Sequence, residues 1–331
     1  MEKKGFTEKK VEKLDMKEKK ILYELDFNAR LSYAQLGRKV GLSKQGAEYK
    51  MNNLVKKGVI KGFYPVINVP KLGFLYCRLL ITVQNVTKEK REEFLSYLKN
   101  HKSVFWLLEM QGQYDILIVI WARTITEFKM FGEEIEKKYG EYVKKKIETI
   151  ATDVIHFQHR YLLGKTETKE IHIRETGERG VIDALDKKIL STLCDDGRMS
   201  LMKIAKESKT SAKVVAYRMR KMERMKIIEG YRPIINHNAL GYTYYKLFIT
   251  INKGAKEALR KVKSYIKQIP LCVYIVEGVG LTADLDVEIM VQSNQELFSF
   301  IEQLRFAFPT SIGEYQTVIF LDTLKVNYLP S

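Results

Sequence analysis

The sequence predicts an α+β chain in which two winged helix-turn-helix domains alternate with two ferredoxin-like (βαββαβ) sheet domains, and three observations predict it. Arg30–Gly62, RLSYAQLGRKVGLSKQGAEYKMNNLVKKGVIKG, returns 168 positions later as Arg198–Gly230, RMSLMKIAKESKTSAKVVAYRMRKMERMKIIEG, matching Arg30 with Arg198, Ser43 with Ser211 and Tyr49 with Tyr217 without a gap. A repeat this long makes the chain two copies of one unit. Each copy opens on apolar residues at helical spacing, and each then changes to a β-α-β-β-α-β order of short elements. With 331 residues, the chain exceeds one typical core. The reading divides it into a basic tail (1–13), a first winged helix-turn-helix (14–68) and sheet domain (69–163), a linker (164–180), and their second copies (181–236 and 237–331).

In LDMKEKKILYELDFNA the positions Leu14, Ile21, Leu22 and Leu25 share one face of a helix that Asp15 caps. Ser32 starts a shorter helix, Gly41 supplies the turn, and Ser43 caps the next helix, whose stripe is Ala47, Met51 and Leu54. That stripe turns Lys44, Gln45, Glu48, Tyr49 and Asn52 outward or to its flanks. Gly58 ends the helix, and Val59–Val66 reads as a two-stranded wing or as the first strand leaving it. Strands follow at Phe74–Gln84, Val104–Met110, Asp115–Ala122 and about 147–157, with helices at Lys88–Asn100 and about 126–142. Linker 164–180 is charged and glycine-rich, with room for a β excursion at Ile171–Ile173.

The second copy restarts at Ile182, where IDALDKKIL aligns with LDMKEKKIL. Its third helix buries Val215, Met219 and Met222 and turns out a more basic set. Its sheet half reads as strands Tyr244–Asn252, Leu271–Val279, Asp284–Val291 and Ile312–Tyr328, with helices Ala255–Gln268 and Asn294–Phe308. Asp115 pairs with Asp284 one position out of register, so the second hairpin has gained a residue.

Fifty-seven Lys+Arg against 40 Asp+Glu give a net charge of +17, which draws the molecule to polyanions, whether nucleic acid or an acidic membrane surface. A solvated basic surface is the plain alternative. Cys77, Cys194 and Cys272 have no CxxC spacing and read as reduced, buried thiols. The first residues, MEKKGFTEKKVEK, lack an apolar core, and the apolar run Ile116–Ala122 is too short to span a bilayer, so a cytoplasmic location is expected.

A helix enters the major groove with polar or basic residues of its N-terminal half on base edges and phosphates. The candidates for double-stranded DNA are Ser43, Lys44, Gln45, Glu48, Tyr49 and Lys50 in the first copy, and Ser211, Lys213, Val214, Tyr217, Arg218 and Arg220 in the second. Ser43 and Ser211 are most simply helix caps. A winged helix kept for protein contacts explains the same residues without DNA. His156 and His159 are three apart and point to opposite faces if both lie on a strand, so no metal site is expected. No catalytic motif and no cofactor loop is found.

The residues Leu14, Asp15, Glu18, Ile21 and Leu22; Arg30 and Ser32; Ser43, Tyr49 and Lys50; and Ile60, Gly62, Pro65, Asn68, Leu72 and Gly73, with their second-copy partners, resemble the signature of the Lrp/AsnC (feast/famine) transcription regulators. Gly112, Tyr114 and Asp115 resemble that family's GxYD hairpin. The resemblance implies a DNA-binding regulator whose sheet domains pair, here within one chain as a pseudo-dimer, and which assembles into larger homo-oligomers. It also implies an amino-acid effector at Glu109, Gly112, Tyr114 and Asp115, where a carboxylate could hold the ammonium, although a tight turn explains the same glycine and aspartate.

Three departures stand out. The family usually carries one unit per chain. Gly46 and Glu48 sit in the first recognition helix, where an interior Gly costs about 0.5–1 kcal/mol against Ala and Glu opposes phosphate. The second copy reads GLTAD where the family has GxYD. The second reader is therefore expected to supply more of the affinity. Siroheme decarboxylases share the architecture and give an enzyme alternative, and a sensor or scaffold that has lost DNA gives a third.

Overall fold

The computed structural model describes residues 11–330 except 168, 178, 253–255 and 282, so most of the basic tail lies outside the described residues. The first copy runs α1 (Met16–Leu25), α2 (Tyr33–Val40), α3 (Lys44–Lys56), β1 (Ile60–Ile67), β2 (Leu75–Val83), α4 (Lys88–Asn100), β3 (Val104–Gly112), β4 (Ile116–Ala122), α5 (Ile125–Tyr139), β5 (Val143–Phe157) and β6 (Glu170–Arg174). The second runs α6 (Ala184–Asp195), α7 (Leu201–Glu207), α8 (Ala212–Arg224), β7 (Ile228–Ile235), β8 (Thr243–Ile251), α9 (Lys256–Gln268), β9 (Cys272–Val279), β10 (Leu285–Val291), α10 (Asn294–Ala307) and β11 (Ile312–Val326). Among the described residues no helix is long and apolar enough to cross a membrane.

The helix starts are local chemistry. Asp15 accepts from the Glu18 N–H at 2.8 Å while Glu18 accepts from the Asp15 N–H at 2.9 Å, and Ser32 with Gln35 and Asp183 with Asp186 repeat the device. These reciprocal caps satisfy N–H groups that the first helical turn leaves open.

The strand that follows each helix-turn-helix finds its partner in the other copy. β1 pairs antiparallel with β7 of the other copy, in a register symmetric about Tyr64 opposite Arg232. The two units thus share one ribbon, and each supplies the strand that a wing would have given the other. Around it the contacts are reciprocal at the repeat offset. Arg30 Nη1 donates to the Gly197 carbonyl at 2.7 Å and Arg198 Nη1 donates to the Ala29 carbonyl. The Ala29 N–H reaches the Tyr231 carbonyl at 2.9 Å, and the Gly197 N–H reaches Phe63 at 2.8 Å.

The halves are crossed as well as paired. The core of α1–α3, with Ile21, Leu22, Leu36 and Leu54, closes on Ile235, Tyr242, Val273 and Met290 of the second copy. The core of α6–α8, with Ile189, Leu193 and Met222, closes on Ile67, Val69, Phe74 and Trp121 of the first.

Each sheet half has the ferredoxin-like order, but the two do more than pack on each other. β5 pairs with β2 over its first part and with β9 over its second, while β11 pairs with β8 and then β3. The ring β2-β4-β3-β11-β8-β10-β9-β5 closes back on β2, and β6, the excursion inside the linker, adds to β5 at the rim. β5 begins at Val143, earlier than its apolar pattern suggests, because α5 stops at Tyr139 and only a short turn intervenes.

Strand alternation sorts the side chains. Cys77, Leu79 and Ile81 face α4 and α5, whereas Leu80, Leu117, Val119, Phe248 and Phe320 fill the ring. Inside it lie four charges. Arg78 holds Asp286 at 2.6 Å, and Lys246 holds Asp286 at 2.5 Å and Glu288 at 2.7 Å, all four residues at 3% exposure or less. The positions matching Asp286 and Glu288 in the first copy are Leu117 and Val119.

The seats beneath the ribbon also differ. On one side Arg232 forks onto Asp26 at 2.6 and 3.0 Å and donates to the Tyr274 hydroxyl, the Phe157 carbonyl and the rings of His156 and His159. His237 and Tyr161 join beside them at 2.9 Å. On the other side the matching residues are Cys194 and Tyr64. There Tyr64 stacks on Tyr328 at 4.2 Å, and Phe105 stacks on Trp121 at 3.8 Å with Tyr76 edge-on to both.

Candidate nucleic-acid interface

The third helix of each unit, α3 and α8, carries the site. Ser43 accepts from the Gly46 N–H at 3.0 Å and Ser211 from the Val214 N–H at 3.2 Å, so both hydroxyls act as caps. Ala47, Met51 and Leu54 bury one side of α3, as Val215, Met219 and Met222 do in α8. The opposite side then presents Gln45, Tyr49 and Asn52 in the first unit and Lys213, Tyr217 and Arg220 in the second, at spacings of four and three. Tyr49 is 67% exposed and Tyr217 58%. Lys44 and Val214 stand at the exposed N-terminal flank, and Glu48 is half-buried.

Two expected contacts are redirected. Lys50 pairs with Asp15, and Arg218 pairs with Asp183 at 2.6 Å and Asp186 at 3.3 Å. Both basic groups therefore tie the third helix to the cap of the first helix in their own unit. The hydrogen bond from Lys50 holds the Asp15 carboxyl below its usual range, and Asp15 in turn raises the Lys50 ammonium. In place of Lys50 the stripe has Asn52, three residues after Tyr49, a spacing that the sequence displays. Among the described residues Lys44, Lys213 and Arg220 have no ion pair.

The expected effector group does not assemble. Glu109 faces α4 and pairs with Arg91 at 2.9 Å, whereas Tyr114 lies inside the ring against Phe248. Gly112 runs so close to the Thr317 carbonyl that a Cβ would stand 2.7 Å from it. Asp115 accepts from the Val83 N–H at 2.8 Å, and Asp284 accepts from the Ile251 N–H at 2.7 Å, the same bond at matching positions. A role repeated in both copies, one with GxYD and one without, belongs to the hairpin.

His159 lies beyond its strand, so alternation does not govern it. β5 ends at Phe157, the backbone turns, and both His156 and His159 meet Arg232. Among the described residues no group of three or more His, Cys, Asp or Glu is placed to hold a metal ion. Burial pushes the Cys77 and Cys194 thiols up to about 12, which leaves them protonated.

These two helical units match known domain profiles, a winged helix-turn-helix DNA-binding domain over residues 14–61 and an AsnC-type helix-turn-helix domain over residues 182–223. The regulator LrpA of Pyrococcus horikoshii is 34% identical over 110 residues, which cover 33% of this chain and 77% of that protein. The chain belongs to the Lrp/AsnC family of transcriptional regulators. A second relative, the proline dehydrogenase transcriptional activator of Rhizobium radiobacter, is 33% identical over 128 residues, covering 38% of this chain and 82% of its own. An Lrp/AsnC relative of that length spans one unit of the two present here. Among solved structures the siroheme decarboxylase NirDL covers 95% of this chain and 94% of its own at a TM-score of 0.60 and 11% identity, a likeness of fold.

Proposed function

We propose that this chain binds double-stranded DNA as a single molecule, with α3 and α8 reading two half-sites of unlike sequence. One observation carries the reading: two third helices with the same caps and the same central tyrosine, locked together by reciprocal arginine contacts, present different outward residues. Gln45 and Asn52 carry amides, which pair with adenine edges, while Lys213 and Arg220 suit guanine and Val214 suits a thymine methyl. The second helix also carries more positive charge, with Lys213, Arg220, Lys221 and Arg224 around Glu223, so it contributes more of the salt-sensitive affinity.

Selection of duplexes from a random pool by the full chain tests this. Two half-sites of different sequence are expected. One half-site repeated as a palindrome would overturn the unequal reading, and no enrichment together with no shift of random duplex at low salt would overturn DNA binding and favour a scaffold.

An amino acid at the first hairpin is not part of this reading, because Glu109 is paired with Arg91, Asp115 with the Val83 N–H, and Tyr114 lies inside the ring. Calorimetry with an amino-acid panel is expected to give no heat. The histidine near a position where siroheme decarboxylases place one is His237, and it is tied to the Tyr161 hydroxyl at 2.9 Å, which disfavours an enzyme of that type. Titration with siroheme is expected to leave its absorbance bands unchanged, and a shifted band would revive that alternative.

A further inference from the structure

β5 and β11 hold matching places in the two halves, with 15 residues each, but their rims are finished differently. β5 pairs with β2 as far as Ala151, and from Asp153 it has a strand on both sides, β9 through His156 and β6 through Phe157. β11 pairs with β8 as far as Ile319 and with β3 through Val326. From Phe320 to Val326 it therefore has a strand on one side alone among the described residues. Burial follows the pairing. Asp153, Val154 and Ile155 are buried, whereas Leu321, Asp322 and Thr323 are exposed.

The match between the rims extends to side chains. Two ionic sockets hold β6: His172 Nδ1 meets Asp153 at 2.8 Å, and Lys267 of α9 meets Glu170 at 2.7 Å. Asp322 matches Asp153, since they stand opposite Glu109 and Glu277, themselves a matching pair, on the neighbouring strands. Lys99 of α4 matches Lys267 at the repeat offset. Asp322 and Lys99 are both exposed, and among the described residues neither has an ion pair. The second rim thus has both sockets and no strand in them. Charge on an open edge also serves as a guard against unwanted pairing. A guard does not call for a cation on the neighbouring helix at the very position where the other half uses one to hold a strand.

We infer that the β11 edge from Phe320 to Val326 takes up an extended segment of another protein, antiparallel, as β5 takes up β6. The chemistry of the occupant is read from β6, EIHIR. Apolar residues alternate with polar ones, an acidic residue stands beside the helix cation, and a cationic residue stands beside the strand carboxylate. Backbone hydrogen bonds supply affinity, and the two charges set direction and register. The start of the chain does not meet this description. At the repeat offset from β6 the sequence is EKKGF, with Lys3 and Gly5 in place of Ile171 and Ile173, and glycine inside a strand weakens it. A second copy does not meet it either, because its own EIHIR is already paired with β5.

A labelled peptide with the sequence of residues 167–177, ETKEIHIRETG, is the probe. It is titrated into the full chain by fluorescence anisotropy, with hydrogen exchange followed by mass spectrometry. Saturable micromolar binding is expected, together with slowed exchange over Phe320–Val326 and none on β5. Lys99→Glu and Asp322→Lys each weaken binding by about fivefold and leave the melting midpoint unchanged, because both side chains are exposed. A peptide carrying Glu170→Lys restores binding to the first variant, and one carrying His172→Glu restores it to the second. Absence of saturable binding overturns the inference, as does binding that leaves exchange over Phe320–Val326 unaltered or ignores both charge reversals. Binding that appears only when residues 1–10 are removed, or that is lost as the chains associate at higher concentration, overturns it too, since the chain's own start or a second copy is then the occupant.

Discussion

The two seats under the shared ribbon occupy matching positions and are held by opposite chemistries. Beneath one side the Asp26–Arg232 pair is at 0% exposure, with His156, His159 and Tyr274 around it. Beneath the other, Cys194 and Tyr64 take those two places, and stacked rings fill the space. The backbone accepts either filling. The aromatic seat contributes through buried area. The polar seat recovers in hydrogen bonds roughly what its charges lose in hydration, and so gives geometric selectivity rather than stability. Duplicated halves that began alike can diverge in this way at a junction neither could abandon.

The largest test of that contrast removes one partner of the buried pair. Asp26→Ala should cost about 3–5 kcal/mol of unfolding free energy, because it strands the guanidinium in the interior. Asp26→Cys with Arg232→Tyr, which copies the other seat, should return stability to within about 1 kcal/mol of the parent. Denaturant titration measures both, and a double variant as damaged as the single one would mean that the polar seat is indispensable.

Acid is the second test, since only one seat holds histidines. Burial pushes His156, His159 and His237 well below 6.5. The unfolded chain therefore takes up protons first, and stability is lost as pH falls through about 6.5. His172 acts in the opposite sense. Its bond to Asp153 at 2.8 Å raises it, so its contribution is complete below 6.5 and fades as pH rises through the raised value. His101, in the first sheet half, is lowered by burial as well, so with four groups against one the denaturation midpoint should fall from about pH 7.5 to about pH 5.5, and His156→Gln with His159→Gln should flatten part of that fall. A midpoint that does not move would remove the distinction between the seats.

A third test compares the readers. Arg220→Ala should cost about 1–3 kcal/mol and relax the preference for guanine at its half-site, with a shallower salt slope because a positive charge is lost, while Asn52→Ala at the matching position should relax sequence preference at the other half-site and leave the slope unchanged. Lys50→Ala and Arg218→Ala should lower the melting midpoint more than they lower affinity, given their ties to Asp15 and Asp183.

The smallest effect concerns two turns. Gly41 and Gly58 take positive φ in the first unit, and Lys209 and Lys226 hold the same left-handed conformation in the second. Lys209→Gly and Lys226→Gly should each stabilise by about 0.5–1 kcal/mol, the steric cost of a side chain there less the entropy that glycine brings. A loss of stability would show that these lysines have partners worth more than the strain.

What the sequence revealed follows from range. Caps such as Asp15 with Glu18, the buried stripe Ala47, Met51 and Leu54, and the βαββαβ order are written within a few residues of where they act, and all are found in the structure. The exchange of β1 and β7 is not, because β-branched residues announce a strand without naming its partner. Alternation misled at His159, two residues beyond the end of its strand, and the outward position of Lys50 gave no sign of Asp15 across the unit. A signal did exist for the charged interior: DLDVEIMV places Asp286 and Glu288 where DILIVIWA has Leu117 and Val119.

The crossing of the halves also has a history in every newly made molecule. The core of α1–α3 closes on Tyr242, Val273 and Met290, which lie in the second half of the chain. At ribosomal speeds of about 5–20 residues per second, those residues emerge on the order of 10–50 s after α1–α3. Until then the first helical unit waits with its apolar seat unmade, in competition with the identical unit of any neighbouring nascent chain. Synthesis, more than the finished protein, is where this architecture is exposed to mispairing, and crowding of translating ribosomes on one message would be its hazard.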